Sequence, residues 1–448
     1  MTSTDARGPG PRDSPGAPIR AAPAGRPGRH ALDLGMPRPA APKPASILPA
    51  DLHGFQRLAV DATAGLTDVV EAMHRTIARP PLLFGTSPDG RTTGITGLVY
   101  RSVRGVTRVV GASLDALLGA LVPLVAQRPS SQERDAVVAA LNGVLGDYLA
   151  ASGNPLATQM EVRYAGAPVP LDRAAAAAAL PRAGRRLLLL VHGLCMNDRQ
   201  WERDGHDHGR ELARALDCTP LYLRYNTGLH ISTNGRALAD LLEALVAAWP
   251  VPVERVGIVA HSMGGLVARS ACHYAEVAGH GWRRRLDAMV FLGTPHLGAP
   301  GERAGAWADY VMALSPYSAP FARLGGIRSA GIKDLRHGNL RDEDWQARSA
   351  PGYPALPLPP DVRCYAIAAS RQPRPAARLR GDGLVPVASA LGRHRDAVRD
   401  LKLPAQRQWI GFGMGHFDLL ARAEVCARMA DWLSEAPAPR AGRRRREG

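Results

Sequence analysis

Residues 255–271 read Arg-Val-Gly-Ile-Val-Ala-His-Ser-Met-Gly-Gly-Leu-Val-Ala-Arg-Ser-Ala, and this stretch decides the fold. Val256 to Ala260 is an apolar run suited to a buried parallel strand, and Leu266-Val267-Ala268 starts an apolar spacing that is helical. Between them stands Ser262, with Ala260 and Gly264 two residues to either side. In so tight a strand-to-helix turn, a larger side chain at either flank would collide with neighbouring backbone. The turn strains the serine backbone and lifts its hydroxyl out at the C-terminal end of the strand, above a helix N-terminus. There the helix dipole and free N–H groups favour negative charge.

A small-x-Ser-x-Gly pentapeptide arises easily in a Gly- and Ala-rich chain; the strand before and the helix after make this one a nucleophile elbow. A nucleophilic serine needs a base, an acid and amide donors. Leu187-Leu188-Leu189-Leu190-Val191-His192-Gly193-Leu194 is a buried strand running into a His-Gly turn. A tetrahedral oxyanion needs two or more preorganised N–H groups. Met263, the first residue of the elbow helix, is expected to supply one. Leu194 is expected to supply the other, since Gly193 allows close approach. Gly381-Asp382-Gly383 follows a strand at Val362–Ala368, and its two glycines let the Asp382 carboxylate turn back toward the site. Asp396 and Asp400 are later competitors on a charged segment. Gly411-Phe412-Gly413-Met414-Gly415-His416 follows the last strand, so His416 sits on a Gly-rich loop at the sheet edge, within reach of both Ser262 and Asp382.

The chain order Ser262, Asp382, His416 is that of the α/β-hydrolase triad. Leu190-Val191-His192-Gly193, Ala260-His261-Ser262-Met263-Gly264-Gly265, Gly293-Thr294-Pro295-His296-Leu297-Gly298, Gly381-Asp382-Gly383 and Gly415-His416 together resemble an α/β-hydrolase. Within that superfamily they are most similar to lipases and esterases, including the group related to GPI inositol deacylases. The resemblance covers about residues 158 to 436 and says nothing of 1 to 150. It implies Ser262 as nucleophile, His416 as base, Asp382 as its orienting acid, and Leu194 and Met263 as the oxyanion hole. Ala260 stands where many members carry Gly.

The 448 residues carry 56 Lys+Arg against 40 Asp+Glu, a formal charge of +16, and only three of the basic residues are lysines (Lys43, Lys333, Lys402). With 5% aromatic residues, no basic stretch is interleaved with stacking rings, so no nucleic-acid partner is expected. Cys195, Cys218, Cys272, Cys364 and Cys426 are scattered and never form a Cys-x-x-Cys pair. That argues against a disulfide framework and for a reducing compartment, so a cytoplasmic location is expected, with membrane-peripheral contact as an option. No apolar h-region opens the chain and no run approaches about 18 apolar residues, so neither a secretory signal nor a spanning helix is expected.

Four regions follow from composition. Residues 1–47 are rich in Pro, Ala, Gly and Arg and read as a disordered tail. Residues 48–153 read as amphipathic helices: one from about Asp51 to Pro80, one from about Thr93 to Pro123, and one over Gln132 to Ala151. These pack on each other or on the next domain; the alternative is a basic face, residues 51–126, that docks on a membrane or lipid body. Residues 154–436 are expected to form the catalytic domain. A hairpin pairs Met160–Tyr164 with Val169–Leu171. Further strands are expected at 187–191, 221–225, 256–260, 288–292, 362–368 and 408–412. Helices fall at about 174–179, 207–216, 234–248, 264–278 and 418–434. A Gly-, Pro- and Ser-rich stretch, about 296–360, is placed as a lid or cap insertion. Residues 437–448 form a basic tail. The fold class is thus α/β, a mostly parallel sheet flanked by helices and preceded by a helical region.

The expected function is cleavage of carboxylic esters of small molecules or lipids through an acyl-enzyme. Acyl transfer or polyester depolymerisation on the same triad is the near alternative, and a non-catalytic lipid-surface protein the distant one. The chemistry implies no metal and no organic cofactor. His261 is read as structural, and His296 as either rim or loop support. Cys195 has no elbow to present it as a nucleophile. Asp204, His206, Asp207 and His208 crowd one loop, and His-x-His can bind metal, but no further ligand stands at a suitable spacing. Asn197, Asp198, Trp201, Asn226 and Asn234 are placed at the pocket mouth.

Overall fold

Strands that alternate with amphipathic helices assemble into one eight-stranded sheet in the computed structural model. It describes residues 51–54, 56–61, 131–298, 329–346, 355–376 and 379–435. All of these lie within the unit Ala45–Gly448. In chain order the elements are α1 (Gln132–Ala151), β1 (Glu161–Tyr164), β2 (Ala167–Pro168), α2 (Arg173–Ala179), β3 (Arg186–Val191), β4 (Glu202–Arg203), β5 (His206–Asp207), α3 (His208–Leu216) and β6 (Thr219–Arg224). There follow α4 (Ile231–Ala248), β7 (Arg255–His261), α5 (Met263–Ala278), β8 (Leu286–Leu292), α6 (Ala330–His337), α7 (Asp342–Gln346), β9 (Arg363–Ser370), α8 (Val387–Ala390), β10 (Gln408–Phe412) and α9 (Ala423–Ser434).

The sheet order is β10-β9-β8-β7-β3-β6-β1-β2. The six strands from β10 to β6 run parallel, and the β1–β2 hairpin adds antiparallel to β6. From β3 the chain steps outward to β6, then returns to the other side of β3 as β7. That reversal opens a crevice at the C-terminal ends of β3 and β7, the place where open α/β sheets bind their ligands. The run of leucines in β3 serves both faces at once. Leu187 and Leu189 join a cluster with Leu238, Leu242, Leu266 and Val267 of α4 and α5. Leu188 and Leu190 face Leu212 and Leu216 of α3 and Val425 and Met429 of α9. A strand covered on both sides has no polar face to show, hence its unbroken hydrophobicity.

Among the shifts from the expected bounds, two have a clear local cause. The second hairpin strand is Ala167–Pro168 rather than Val169–Leu171. Ala165 (φ 48°) and Gly166 (φ 83°) both take left-handed backbone, so a two-residue turn pairs Tyr164 directly with Ala167. The C-terminal helix starts at Ala423, after a short 3₁₀ turn over Asp418–Leu420. Asp418 is drawn out of the helix because its Oδ2 accepts from Gly415 N at 2.7 Å.

Helix α1, with bounds as expected, lies against the sheet. Val144 joins the cluster that holds Leu194 and Cys195. A Cβ on Gly143 would stand 2.1 Å from Cys195 Sγ, and one on Gly146 would stand 1.9 Å from Asn226 Oδ1, so these glycines permit the close approach. Asp135 binds Arg224 of β6 (2.9 Å) and Arg199 (3.2 Å). Asp51 in turn pairs with Arg134 (2.5 Å), and Asn154 donates to Gly54 O (3.0 Å), tying residues 51–54 to the same helix. The remaining N-terminal expectations, residues 1–47 and 62–126, lie outside the described residues. So do 299–328 and 347–354 of the expected insertion, and the tail 437–448. No helix among the described residues is long and apolar enough to cross a membrane.

Candidate active site

Ser262 follows β7 and precedes the first residue of α5, with φ 53° and ψ −125°. A non-glycine residue held at positive φ is costly, and such strain collects where surrounding structure insists on it. Here the insistence is visible. Ser262 N donates to Leu292 O of β8 (2.9 Å), and Gly265 N donates back to Ser262 O (3.1 Å). A Cβ on Gly264 would stand 2.4 Å from Val191 O and 2.6 Å from His192 O. Glycine at 264 therefore lets the first turn of α5 rest on the end of β3, beside the loop that carries Gly193 and Leu194.

That loop is fixed from several sides. Met196 N donates to Gly193 O (3.3 Å), closing a tight turn with Cys195 at φ 57°. Cys195 N donates to Thr227 Oγ1 (3.0 Å), and Tyr225 OH to His192 O (2.8 Å). The His192 ring stacks on Tyr225 at 4.4 Å, and its Nδ1 donates to Gly193 O (2.9 Å). Burial pushes His192 down to about 4, so it is neutral at physiological pH. Cys195 is buried and its thiol is pushed up to about 12 by desolvation, which removes it as a nucleophile.

Asp382 and His416 meet directly: His416 Nδ1 donates to Asp382 Oδ2 at 2.7 Å, and both side chains are buried. The other carboxylate oxygen accepts from Leu384 N (2.9 Å) and Val385 N (2.8 Å). A Cβ on Gly381 would stand 1.9 Å from Val385 O, and Gly383 takes left-handed backbone at φ 104° beside the Arg371 guanidinium. Glycine is thus favoured at 381 by contact and at 383 by backbone conformation. The loop before His416 is anchored to the end of β9 by Met414 N to Ser370 O (2.9 Å) and Gly413 N to Gln372 O (2.8 Å). The imidazole lies against Gly293, where a Cβ would stand 3.1 Å from Cε1. Gly293 directly follows Leu292, the residue whose carbonyl holds Ser262 N. The Ser262 backbone and the His416 ring therefore both meet the C-terminal end of β8.

His261 and His296 flank this centre. His261 Nε2 contacts His416 O (3.2 Å), and His261 is held well below its ordinary pKa by burial and by the neighbouring His416 ring. It supports the backbone of the His416 loop. His296 packs edge-on to Phe291 (4.7 Å) and receives Arg269 Nη1 on Nδ1 (3.2 Å). Arg269 had no place in the sequence reading. It is buried on α5, desolvation pulls it down to about 10, and it also donates to Leu356 O, joining residues on either side of the long stretch between β8 and β9. A lone arginine in an Ala- and Ser-rich helix carries no signal that it will be buried.

Other expectations are corrected. Asn226 Nδ2 donates to Gly146 O of α1 (2.8 Å), and Asn234 Nδ2 to Asn226 O (2.9 Å), so both amides are buried structural ties rather than a pocket mouth. Asn197 caps a 3₁₀ turn, Asp198 pairs with Arg224 (2.5 Å) and Arg163 (3.1 Å), and Trp201 is fully buried. Asp396 and Asp400 accept from neighbouring backbone amides of their own loop.

Six parallel strands with a reversal beside β3, helices on both faces, and a strained serine between β7 and α5 determine the architecture. It is the α/β-hydrolase fold. A family model described as PGAP1-like alpha/beta domain matches residues 183–350, from the start of β3 past the elbow, and ends before Asp382 and His416. No curated protein matches the chain. Among solved structures the chain is similar to mature Bacillus licheniformis lipase BlEst2, at 18% identity over 56% of this chain and 91% of that one, with a TM-score of 0.36. It is similar to Aspergillus fumigatus lipase B at 14% identity, over 57% of this chain and 55% of that one, with a TM-score of 0.35. It is similar to the Pyrococcus furiosus esterase Pf2001 at 12% identity, over 56% and 80%, with a TM-score of 0.35. The chain thus spans little more than half of the Aspergillus lipase.

Proposed function

We propose that this chain is a serine hydrolase of carboxylic esters, of lipase or esterase type, with Ser262, His416 and Asp382 as its triad. The observation that carries the reading is the buried 2.7 Å hydrogen bond from His416 Nδ1 to Asp382 Oδ2, set at the same end of β8 that holds the strained Ser262. With Nδ1 committed to a carboxylate, Nε2 is left with the lone pair that a general base needs.

Ser262 Oγ attacks the ester carbonyl carbon while His416 Nε2 takes the hydroxyl proton. Asp382 stabilises the imidazolium and keeps its own charge, because its second oxygen is already engaged by two backbone amides. The oxyanion is received by the N–H groups of Leu194 and Met263, a reading supported by the close packing of Gly264 against the end of β3. Collapse expels the alkoxide, which His416 protonates, and leaves an acyl group on Ser262. Water, deprotonated by the same imidazole, then releases the acid and restores the serine.

A fluorophosphonate probe is expected to label the wild-type chain once, at Ser262, and to leave Ser262→Ala unlabelled. Hydrolysis of short p-nitrophenyl esters is expected to vanish with the same change. A folded wild type that neither reacts with the probe nor cleaves esters would overturn the proposal. An acyl-length series then separates esterase from lipase preference.

A further inference from the structure

The histidine pair on the loop before α3 meets a partner that is remote in sequence. His206, in the short β4–β5 hairpin, places Nε2 at 2.7 Å from His208 Nδ1, at the start of α3. Cys426 of α9 comes to the same place, and the three ligand atoms, two imidazole nitrogens and Sγ, all lie within 4.8 Å of one another. We propose that His206, His208 and Cys426 form a binding site for a divalent metal ion of the zinc class, behind the loop that carries His416.

Three features beyond proximity support this. Buried His208 donates its other ring nitrogen, Nε2, to Leu419 O at 2.8 Å. That bond fixes the tautomer so that the Nδ1 lone pair faces His206 and Cys426, which is how the outer shell of a metal site commonly orients a ligating imidazole. The donor set, two imidazoles and one thiolate, is made of the ligand types that zinc takes, and three of them leave a fourth tetrahedral position for water. His206 is only partly buried, so that position can reach solvent. A carboxylate also stands close by: Asp207, next to His206 and His208 in the chain, is held in place by Tyr222 OH at 2.7 Å.

Without an ion, the short contact between the rings is a hydrogen bond in which His206 Nε2–H donates to His208 Nδ1. With metal–nitrogen bonds of about 2.0–2.1 Å, two tetrahedral ligands stand about 3.3 Å apart, so the rings must separate by roughly 0.6 Å while the thiol moves in. The His206 proton shifts from Nε2 to Nδ1, and one proton leaves Cys426 Sγ for solvent as the thiolate binds. Affinity therefore rises with pH. The ion would join three elements, the β4–β5 hairpin, the start of α3 and α9, next to the turn that anchors Leu419.

The test is a cobalt titration of the full chain after chelator treatment and desalting. One Co²⁺ per chain is expected, with tetrahedral ligand-field bands and a thiolate-to-cobalt charge-transfer band, and Zn²⁺ should displace it. Cys426→Ser should abolish the charge-transfer band. Both Cys426→Ser and His206→Gln should weaken binding at least tenfold, with unchanged far-UV circular dichroism, while His337→Gln on the exposed end of α6 leaves it unaltered. As a check that needs no variant, Zn²⁺ should slow alkylation of Cys426 in the native wild type at least tenfold, mapped by mass spectrometry. A stoichiometry well below one, a spectrum without thiolate character, equal binding by the variants, or alkylation indifferent to Zn²⁺ would overturn the site and leave a structural hydrogen bond. None of these readouts depends on ester hydrolysis, so the two proposals can fail separately.

Discussion

His416 and His208 stand on either side of one 3₁₀ turn, Asp418–Leu420, and differ in what each ring donates to. His416 gives its proton to the carboxylate of Asp382, whereas His208 gives its proton to the carbonyl of Leu419. A carboxylate stabilises the charged ring; a carbonyl orients a neutral ring but offers no countercharge. The environment of His208 agrees, since burial pushes it down to about 4. The same side chain therefore faces a carboxylate in one place and, in the other, a backbone carbonyl within a buried setting that keeps it neutral. Ring identity says little; the acceptor behind the ring decides the chemistry.

The contrast can be broken most sharply at the serine. Ser262→Ala should lower kcat/KM for p-nitrophenyl esters by about 10⁴-fold or more without altering the melting temperature greatly. If His416 depends on its carboxylate, Asp382→Asn should cost about 10³- to 10⁴-fold in kcat, because an amide cannot stabilise the imidazolium and can enforce the wrong tautomer. A loss below tenfold in steady-state assays would make the two histidines equivalent. Crowding the ring is a gentler probe. Gly293→Ala places a Cβ 3.1 Å from His416 Cε1 at a residue with φ 57°. We expect kcat to fall about 10²-fold through misplacement of the imidazole, with about 1–2 kcal/mol of stability lost to the left-handed backbone, read by urea unfolding.

The neutral histidines give the smallest effect. His208 and His192 are both held near 4 by burial, below the 6.5 of an unfolded chain. Between these values the unfolded chain binds protons that the folded chain refuses, so folding stability falls as the pH drops from about 6.5 toward 4. It is fully present above 6.5. At pH 5 each ring should cost about 2 kcal/mol relative to pH 8. Urea midpoints that stay flat between pH 8 and pH 5 would remove His208 from its side of the comparison.

Much of the fold was legible because its signals are local. The four leucines of β3, the small residues around Ser262 and the glycines beside Asp382 each state a steric or solvent demand within a few positions. Helix α1 announced its own bounds, with Ser131 accepting from Arg134 N at its start. What escaped was long-range and polar. Nothing near Asn226 says that its amide will bind Gly146, and nothing near Arg269 says that it will be buried between His296 and Leu356. The β4–β5 strands are two residues each, too short for any alternation to appear. Cys426 lies on an amphipathic helix, where a cysteine looks like any other small apolar residue until the fold brings α9 beside α3.

The hairpin at the sheet border has a consequence for solution behaviour. β2 contributes two residues, one of them Pro168, which has no amide hydrogen to offer. An incoming chain seeking to extend the ladder on that side would find almost no template, so this margin is guarded against strand-to-strand association. A molecule with so long a parallel core gains from a margin that ends in a short, proline-blunted rung.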